Sequence, residues 1–160
     1  MADVRVARAE ELLLLPDLEA AADTMFEALG IGPLPGPGTP EELADALVIL
    51  VVGDPPEGFA RIDALAGSAH LEQLSVHPDH TGQGRGRALL RAACAWAGLA
   101  GYEEITLATY RDVAWNGPFY ASEGFVERGA VDDWYAALGL PPEPPVLGRF
   151  GTRVLMSRSL

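Results

Sequence analysis

Hydrophobic residues alternate with polar ones at Val4 and Val6, then recur at helical spacing from Ala9 to Leu29, a stretch that contains Pro16 and stops at Gly30. The first pattern predicts a short strand and the second a helix broken near the proline. Gly30 to Pro40 is a glycine- and proline-rich loop. Thr39, followed by Pro40 and, three residues on, by Glu42, predicts a capping box opening a short helix to about Ala46. Leu47 to Val52 and Phe59 to Leu65 flank the turn Asp54-Pro55-Pro56-Glu57-Gly58 and read as a hairpin. Gly67-Ser68 turns the chain into a third strand, Ala69 to Val76. A loop from His77 to Gln83 leads to an alanine-rich helix over about Gly84 to Ala100, then a strand from Ile105 to Thr109. A short helix from Asn116 to Glu123 and a closing strand from Thr152 to Ser157 complete the order. Strand, helices, three strands, helix and strand predict an α/β (α+β) fold with a mixed central sheet covered by helices on both faces. A chain of 160 residues fits one domain, 1–160, able to bury its own core.

Composition narrows the possible partners. No apolar run has the length of a membrane span, and no basic-then-apolar leader follows Met1, so a cytoplasmic protein without membrane contact is expected. A net charge of −12 repels phosphate backbones, which argues against nucleic acid as a partner. The acidic surplus can attract a cationic amine or serve solubility alone, and both readings stay open. All 11 basic residues are arginine, so the chain has no lysine side chain of its own to modify. Cys94 is the only cysteine, which excludes an internal disulfide and a multi-cysteine zinc site. It falls on an apolar stripe with Leu90, Ala93 and Ala97, with no cation in sequence to lower its thiol pKa, and reads as packing.

The chemistry concentrates after Val76. Gly82, Gly84 and Gly86 are spaced by two at the head of a helix, where backbone N–H groups can converge on an anion without Cβ obstruction. The helix dipole and the charges of Arg85 and Arg87 make a pyrophosphate a natural ligand. A P-loop would need a lysine. A dinucleotide fingerprint would need a small residue at Arg87 and an acidic residue ending the next strand, whereas Glu103 and Glu104 precede it. His77, Asp79 and His80 do not have a recognised metal-ligand spacing, and no metal is expected.

The stretch Val76-His77-Pro78-Asp79-His80-Thr81-Gly82-Gln83-Gly84-Arg85-Gly86-Arg87-Ala88-Leu89-Leu90 resembles the acetyl-CoA pyrophosphate motif of the GNAT N-acetyltransferases, Arg/Gln-x-x-Gly-x-Gly/Ala. Thr81 stands where that family usually has arginine or glutamine. Trp115-Asn116-Gly117-Pro118-Phe119-Tyr120-Ala121-Ser122-Glu123-Gly124-Phe125 resembles the second family signature, with Asn116 four residues before the tyrosine and Val113 seven before it. The resemblance is strong over about 47–128. It implies the GNAT acyl-CoA N-acyltransferase fold, a mostly antiparallel sheet in which the strand Ala69 to Val76 splays from Ile105 to Thr109 and acetyl-CoA, as co-substrate, occupies the gap.

On that resemblance Leu74, Ser75 and Val76 pair with pantetheine through their backbone, and a backbone N–H near Val76 polarises the thioester carbonyl. Thr81, Gly82, Gln83, Gly84, Arg85, Gly86 and Arg87 form the pyrophosphate loop, and Asn116 joins the cofactor site. Amine attack needs a base and thiolate departure an acid. Strict alternation puts His70, Glu72, Leu74 and Val76 on one face, which makes Glu72 the expected catalytic base and His70 the second choice. Tyr120 matches the tyrosine that protonates the thiolate in many members. The acceptor pocket is expected between roughly Met25 to Pro40 and Val131 to Gly148, with Trp134, Tyr135 and Phe150 as an apolar wall and Asp132 and Asp133 attracting an amine, a small molecule in preference to a protein. Last strands of this fold often pair across subunits, so a homodimer is an open expectation. A non-catalytic acyl-CoA sensor and a structural domain with accidental resemblance are the alternatives to the enzyme.

Overall fold

The structure, a computed structural model, describes residues 3–160. Its sheet has seven strands: β1 (Val4–Val6), β2 (Val48–Val52), β3 (Gly58–Leu65), β4 (Ser68–Val76), β5 (Glu104–Tyr110), β6 (Val126–Ala130) and β7 (Arg153–Ser159), in the order β1-β2-β3-β4-β5-β7-β6. Every neighbouring pair is antiparallel except β4 and β5. The mixed, mostly antiparallel sheet predicted from the sequence is therefore the one observed.

The predicted long N-terminal helix divides at its proline. A 3-10 segment, Ala9–Leu14, precedes α1 (Leu15–Asp23), whose first turn contains Pro16, where a missing N–H costs nothing. A second 3-10 segment, Thr24–Leu29, ends at Gly30 with φ +72°, the left-handed conformation that glycine adopts without Cβ strain. α2 (Pro40–Ala44) opens with the predicted box: Thr39 Oγ1 accepts from the Glu42 backbone N–H at 3.2 Å. α3 (Arg85–Leu99) is followed by α4 (Gly117–Ser122), α5 (Val131–Ala137) and α6 (Pro145–Gly148).

The two faces of the sheet bury separate cores. Leu50, Ala60, Ile62, Ala69, Leu71, Ile105 and Leu107 pack under Leu89, Leu90, Ala93 and Ala97 of α3 and under Tyr120 and Phe125. On the opposite face Ile49, Val51 and Phe59 meet Leu15 and Leu18 of α1 and Leu43 of α2. β2 is buried at all five positions because it has a helix on each side.

Candidate active site

The site begins with a ladder that stops. β4 and β5 pair in parallel only at Ala69 opposite Ile105 and His70 opposite Thr106. Beyond His70 the strands diverge, and a cleft of about 960 Å³ opens between Leu71–Val76 on one side and Leu107–Tyr110 on the other. Leu74, Ser75 and Val76 keep their partners on β3, namely Ala60, Phe59 and Gly58. The other edge of this stretch has no strand beside it and is available to a ligand's amides.

A bulge sits at the point of divergence. Ile62 of β3 faces Leu71 and Arg61 faces Gln73, so Glu72 is the extra residue, without an opposing partner. The extra residue breaks the strict alternation expected from the sequence. Ala69, Leu71, Leu74 and Val76 pair with Ala64, Ile62, Ala60 and Gly58, the α3 face, whereas His70, Gln73 and Ser75 pair with Asp63, Arg61 and Phe59, the α1 face. His70 and Val76 are thus on opposite faces, because one inserted residue shifts the period by one. Glu72 nevertheless lines the cleft, with its side chain 48% exposed. Partial desolvation by the surrounding cleft wall, reinforced by the negative charge of Asp63, raises its pKa above the ordinary carboxylate range.

His70 is buried beside it. Its Nδ1 lies 2.8 Å from Thr106 Oγ1, and its Nε2 lies 3.6 Å from Glu72 Oε2. Burial pushes the His70 pKa down to about 4, so the imidazole is neutral near pH 7.

The loop after Val76, expected from the sequence to hold an anion, presents backbone N–H groups while its arginines are engaged with neighbouring side chains. Gly82 and Gly84 take φ of +72° and +81°. Gly84 caps α3 without a side-chain hydrogen bond, which leaves the first N–H groups of a 15-residue helix available to an anion. Arg85 Nε is paired to Glu57 Oε2 at 2.6 Å, and its Nη1 also contacts Gln83 Oε1. Arg87 pairs with Glu123, which Arg91 also holds, and lies over the Phe119 ring. Thr81 donates its hydroxyl to Pro78 O at 3.0 Å. Asn116 lines the cleft and accepts the Tyr110 backbone N–H on Oδ1 at 3.3 Å, tying the start of α4 to the end of β5. The chain passes so close there that a Cβ on Gly117 would lie 2.3 Å from Arg111 O.

Tyr120 lines the cleft at 8% exposure, with edge-on ring contacts to Phe119 and Phe125. Burial raises its phenol pKa above the usual value, so it stays protonated throughout the neutral range. Cys94 is buried and its thiol pKa raised, although Arg158 stands close enough to oppose the shift, a cation that sequence order concealed.

The remaining wall is the candidate acceptor region. Met25, Phe26 and Leu34–Gly38 line it as expected, as do Tyr135, Pro142, Glu143, Pro144 and Leu147. Trp134, Phe150, Asp132 and Asp133 do not. Trp134 lies against Tyr135 with their rings tilted, Phe150 packs beside Ile31, Tyr110 and Val113, and Asp132 accepts the Glu143 N–H. The acidic groups come from α1 instead: Glu19 and Asp23, spaced i, i+4, share the cleft-facing side. Burial, with the Asp23 charge, raises Glu19 to about 7, and burial raises Asp23 to about 6. The two arginines of this wall are each forked onto a carboxylate, Arg61 onto Asp63 at 3.0 and 2.9 Å and Arg153 onto Glu143 at 3.0 and 2.8 Å. Glu19 and Asp23 were recognisable in the sequence only as a like-charged pair at helical spacing.

Comparison with known proteins agrees with this fold. The family model described as the acetyltransferase (GNAT) domain matches residues 44–127, from α2 to the start of β6. Among solved structures, the PaiA N-acetyltransferase of Thermoplasma acidophilum, in complex with coenzyme A, superposes with a TM-score of 0.74 at 19% identity over 100% of this chain and 99% of that one. The ribosomal-protein-S18-alanine N-acetyltransferase of Escherichia coli gives 0.70 at 20% identity over 99% and 94%. A GNAT family acetyltransferase of Elizabethkingia anophelis with acetyl-CoA bound gives 0.69 at 14% identity over 99% and 98%. With more than half its length matched by the family model, and with a sheet that opens where β4 leaves β5, the chain belongs to the GNAT acetyltransferase family.

Proposed function

We propose that the protein transfers the acetyl group of acetyl-CoA to the primary amine of a small cationic molecule by direct attack, with Glu72 as general base and Tyr120 as general acid. The observation that carries this reading is the single-residue bulge that places a carboxylate of raised pKa at the point where the sheet opens. The α3 first turn holds the pyrophosphate, and the edge of Leu74–Val76 pairs with pantetheine. The acceptor enters as an ammonium of pKa near 10, attracted by Glu19 and Asp23. Glu72 takes its proton, directly or through water. The nitrogen lone pair attacks the thioester carbon and the new C–N bond forms. The C–S bond breaks, the departing thiolate takes the Tyr120 proton, and the surplus proton on the newly bonded nitrogen passes through water to the Tyr120 oxygen, leaving a neutral amide. Burial keeps the Tyr120 phenol protonated and so available as the donor, while making it a weaker acid than a free phenol.

The test follows coenzyme A thiol release from acetyl-CoA with and without a panel of mono- and diamines. Amine-dependent release, lost in Glu72→Gln and Tyr120→Phe while acetyl-CoA affinity persists, supports the enzyme. Binding without release under any amine supports an acyl-CoA sensor.

A further inference from the structure

The hydroxyl of Thr106 lies 2.8 Å from His70 Nδ1 and 3.4 Å from Ala69 O, so it either donates to a bare Nδ1 or accepts from an Nδ1–H while donating to Ala69 O. The shorter contact is the better-formed hydrogen bond. The ring's other nitrogen faces a carboxylate oxygen, 3.6 Å away. A bare Nε2 would set its lone pair against that oxygen, whereas an Nε2–H sets a donor against it. The Glu72 contact therefore selects the Nε2–H tautomer, in which the Thr106 hydroxyl donates to the bare Nδ1. His70 and Thr106 are also the last register pair before the strands part, so the hydroxyl and the ring are held by backbone that is still laddered while Glu72, two residues on, is not.

We infer that Thr106 locks His70 as the Nε2–H tautomer, and that His70 acts as a positioning residue whose N–H aims the Glu72 carboxylate into the cleft. This role rests on Glu72 being the base. His70 itself takes no proton in the step, since its burial disfavours an imidazolium. Around the pair stand Asp63 and Arg61 on β3, Glu19 on α1, Arg153 on β7, and Tyr135 and Glu143 on the segment between β6 and β7. Asp63 and Glu143 raise the Glu72 pKa while Arg61 and Arg153 lower it. An Nε2–H 3.6 Å from the carboxylate sets the positive end of a dipole toward it, on the lowering side, and losing it moves the base pKa upward.

The direct readout is the long-range ¹H–¹⁵N spectrum of His70 in the wild-type protein near pH 7. A protonated Nε2 with a bare Nδ1 is expected, and an Nδ1–H tautomer would overturn the inference. The kinetic readout compares Thr106→Val with Thr106→Ser. The valine variant should shift the acidic limb of kcat/KM upward by about half a pH unit. It should also lower kcat by about threefold to tenfold, a fraction of the ~10²–10⁴ a general base supplies, with KM for acetyl-CoA unchanged. Serine should restore both. In a Glu72→Gln background the valine substitution should add nothing. An unshifted limb in Thr106→Val, beside a Glu72→Gln variant that has lost turnover, contradicts the role of His70 alone; wild-type turnover in Glu72→Gln contradicts the base assignment on which it rests.

Discussion

Arg85 Nε lies 2.6 Å from Glu57 Oε2, so the arginine at the head of α3 is already neutralised from the turn before β3. The proposed pyrophosphate contact would then rest on backbone N–H groups and the helix terminus. Arg85→Gln should weaken coenzyme A binding by no more than about threefold. Gly86→Asp should weaken it by at least about thirtyfold, because a carboxylate enters the anion site, while the same charge in a helix first turn keeps or raises the melting temperature. Calorimetric titration with coenzyme A beside a thermal melt separates the two effects.

Glu19 and Asp23 have folded pKa values near 7 and 6, above those of an unfolded chain. A carboxyl raised on folding favours the native state at low pH and penalises it as pH rises through the folded value. Glu19→Gln should therefore melt like the wild type near pH 4 and above it at pH 8. If the pair attracts the acceptor, the same variant should raise KM for a diamine several-fold more than for a monoamine and leave KM for acetyl-CoA unchanged.

Glu11 works in the opposite direction. It is 3% exposed, takes a bidentate fork from Arg5 at 2.7 and 2.8 Å and accepts the Arg8 backbone N–H at 2.8 Å, contacts that hold its pKa near 2, with the Arg5 fork the leading cause. A depressed carboxyl contributes stability that is present above pH 4.5 and lost as pH falls toward 2. Glu11→Gln should be less stable at neutral pH by about 2 kcal/mol and should show a flatter acid limb in denaturant titrations.

The approach of Gly117 to Arg111 is too close for a side chain, with a Cβ meeting backbone oxygen at 2.3 Å. Gly117→Ala should cost at least about 2 kcal/mol of stability. By displacing Asn116 and Tyr120 on either side, it should also lower kcat more than it raises KM for acetyl-CoA.

What the sequence revealed and concealed follows from period and distance. Strands β2 to β5 and helix α3 were legible because their apolar residues keep a period of two or 3.6 against a core. β6 was not, since all five of its residues are exposed and its apolar pattern carries no signal. α5 and α6 lie in the proline-rich segment after it, held by contacts such as Arg153 to Glu143 that link distant positions. Glu72 was named from an alternation count that put it on one face with His70, Leu74 and Val76, but the bulge that presents it depends on pairing with β3, and a one-residue insertion is invisible to such a count. Thr106 reaches His70 from β5 and Glu19 approaches Glu72 from α1, juxtapositions that only the fold creates.

The central claim is that the carboxylate at the bulge is the base for acetyl transfer, and the pH dependence of kcat/KM in wild type and Glu72→Gln tests it most directly. A deprotonated Glu72 is required, so wild-type activity should fall as pH drops through a pKa above the usual carboxylate value, while Glu72→Gln should be slower by about 10²–10⁴ and lack that limb. The same acidic limb in both proteins, at comparable rates, would contradict the account.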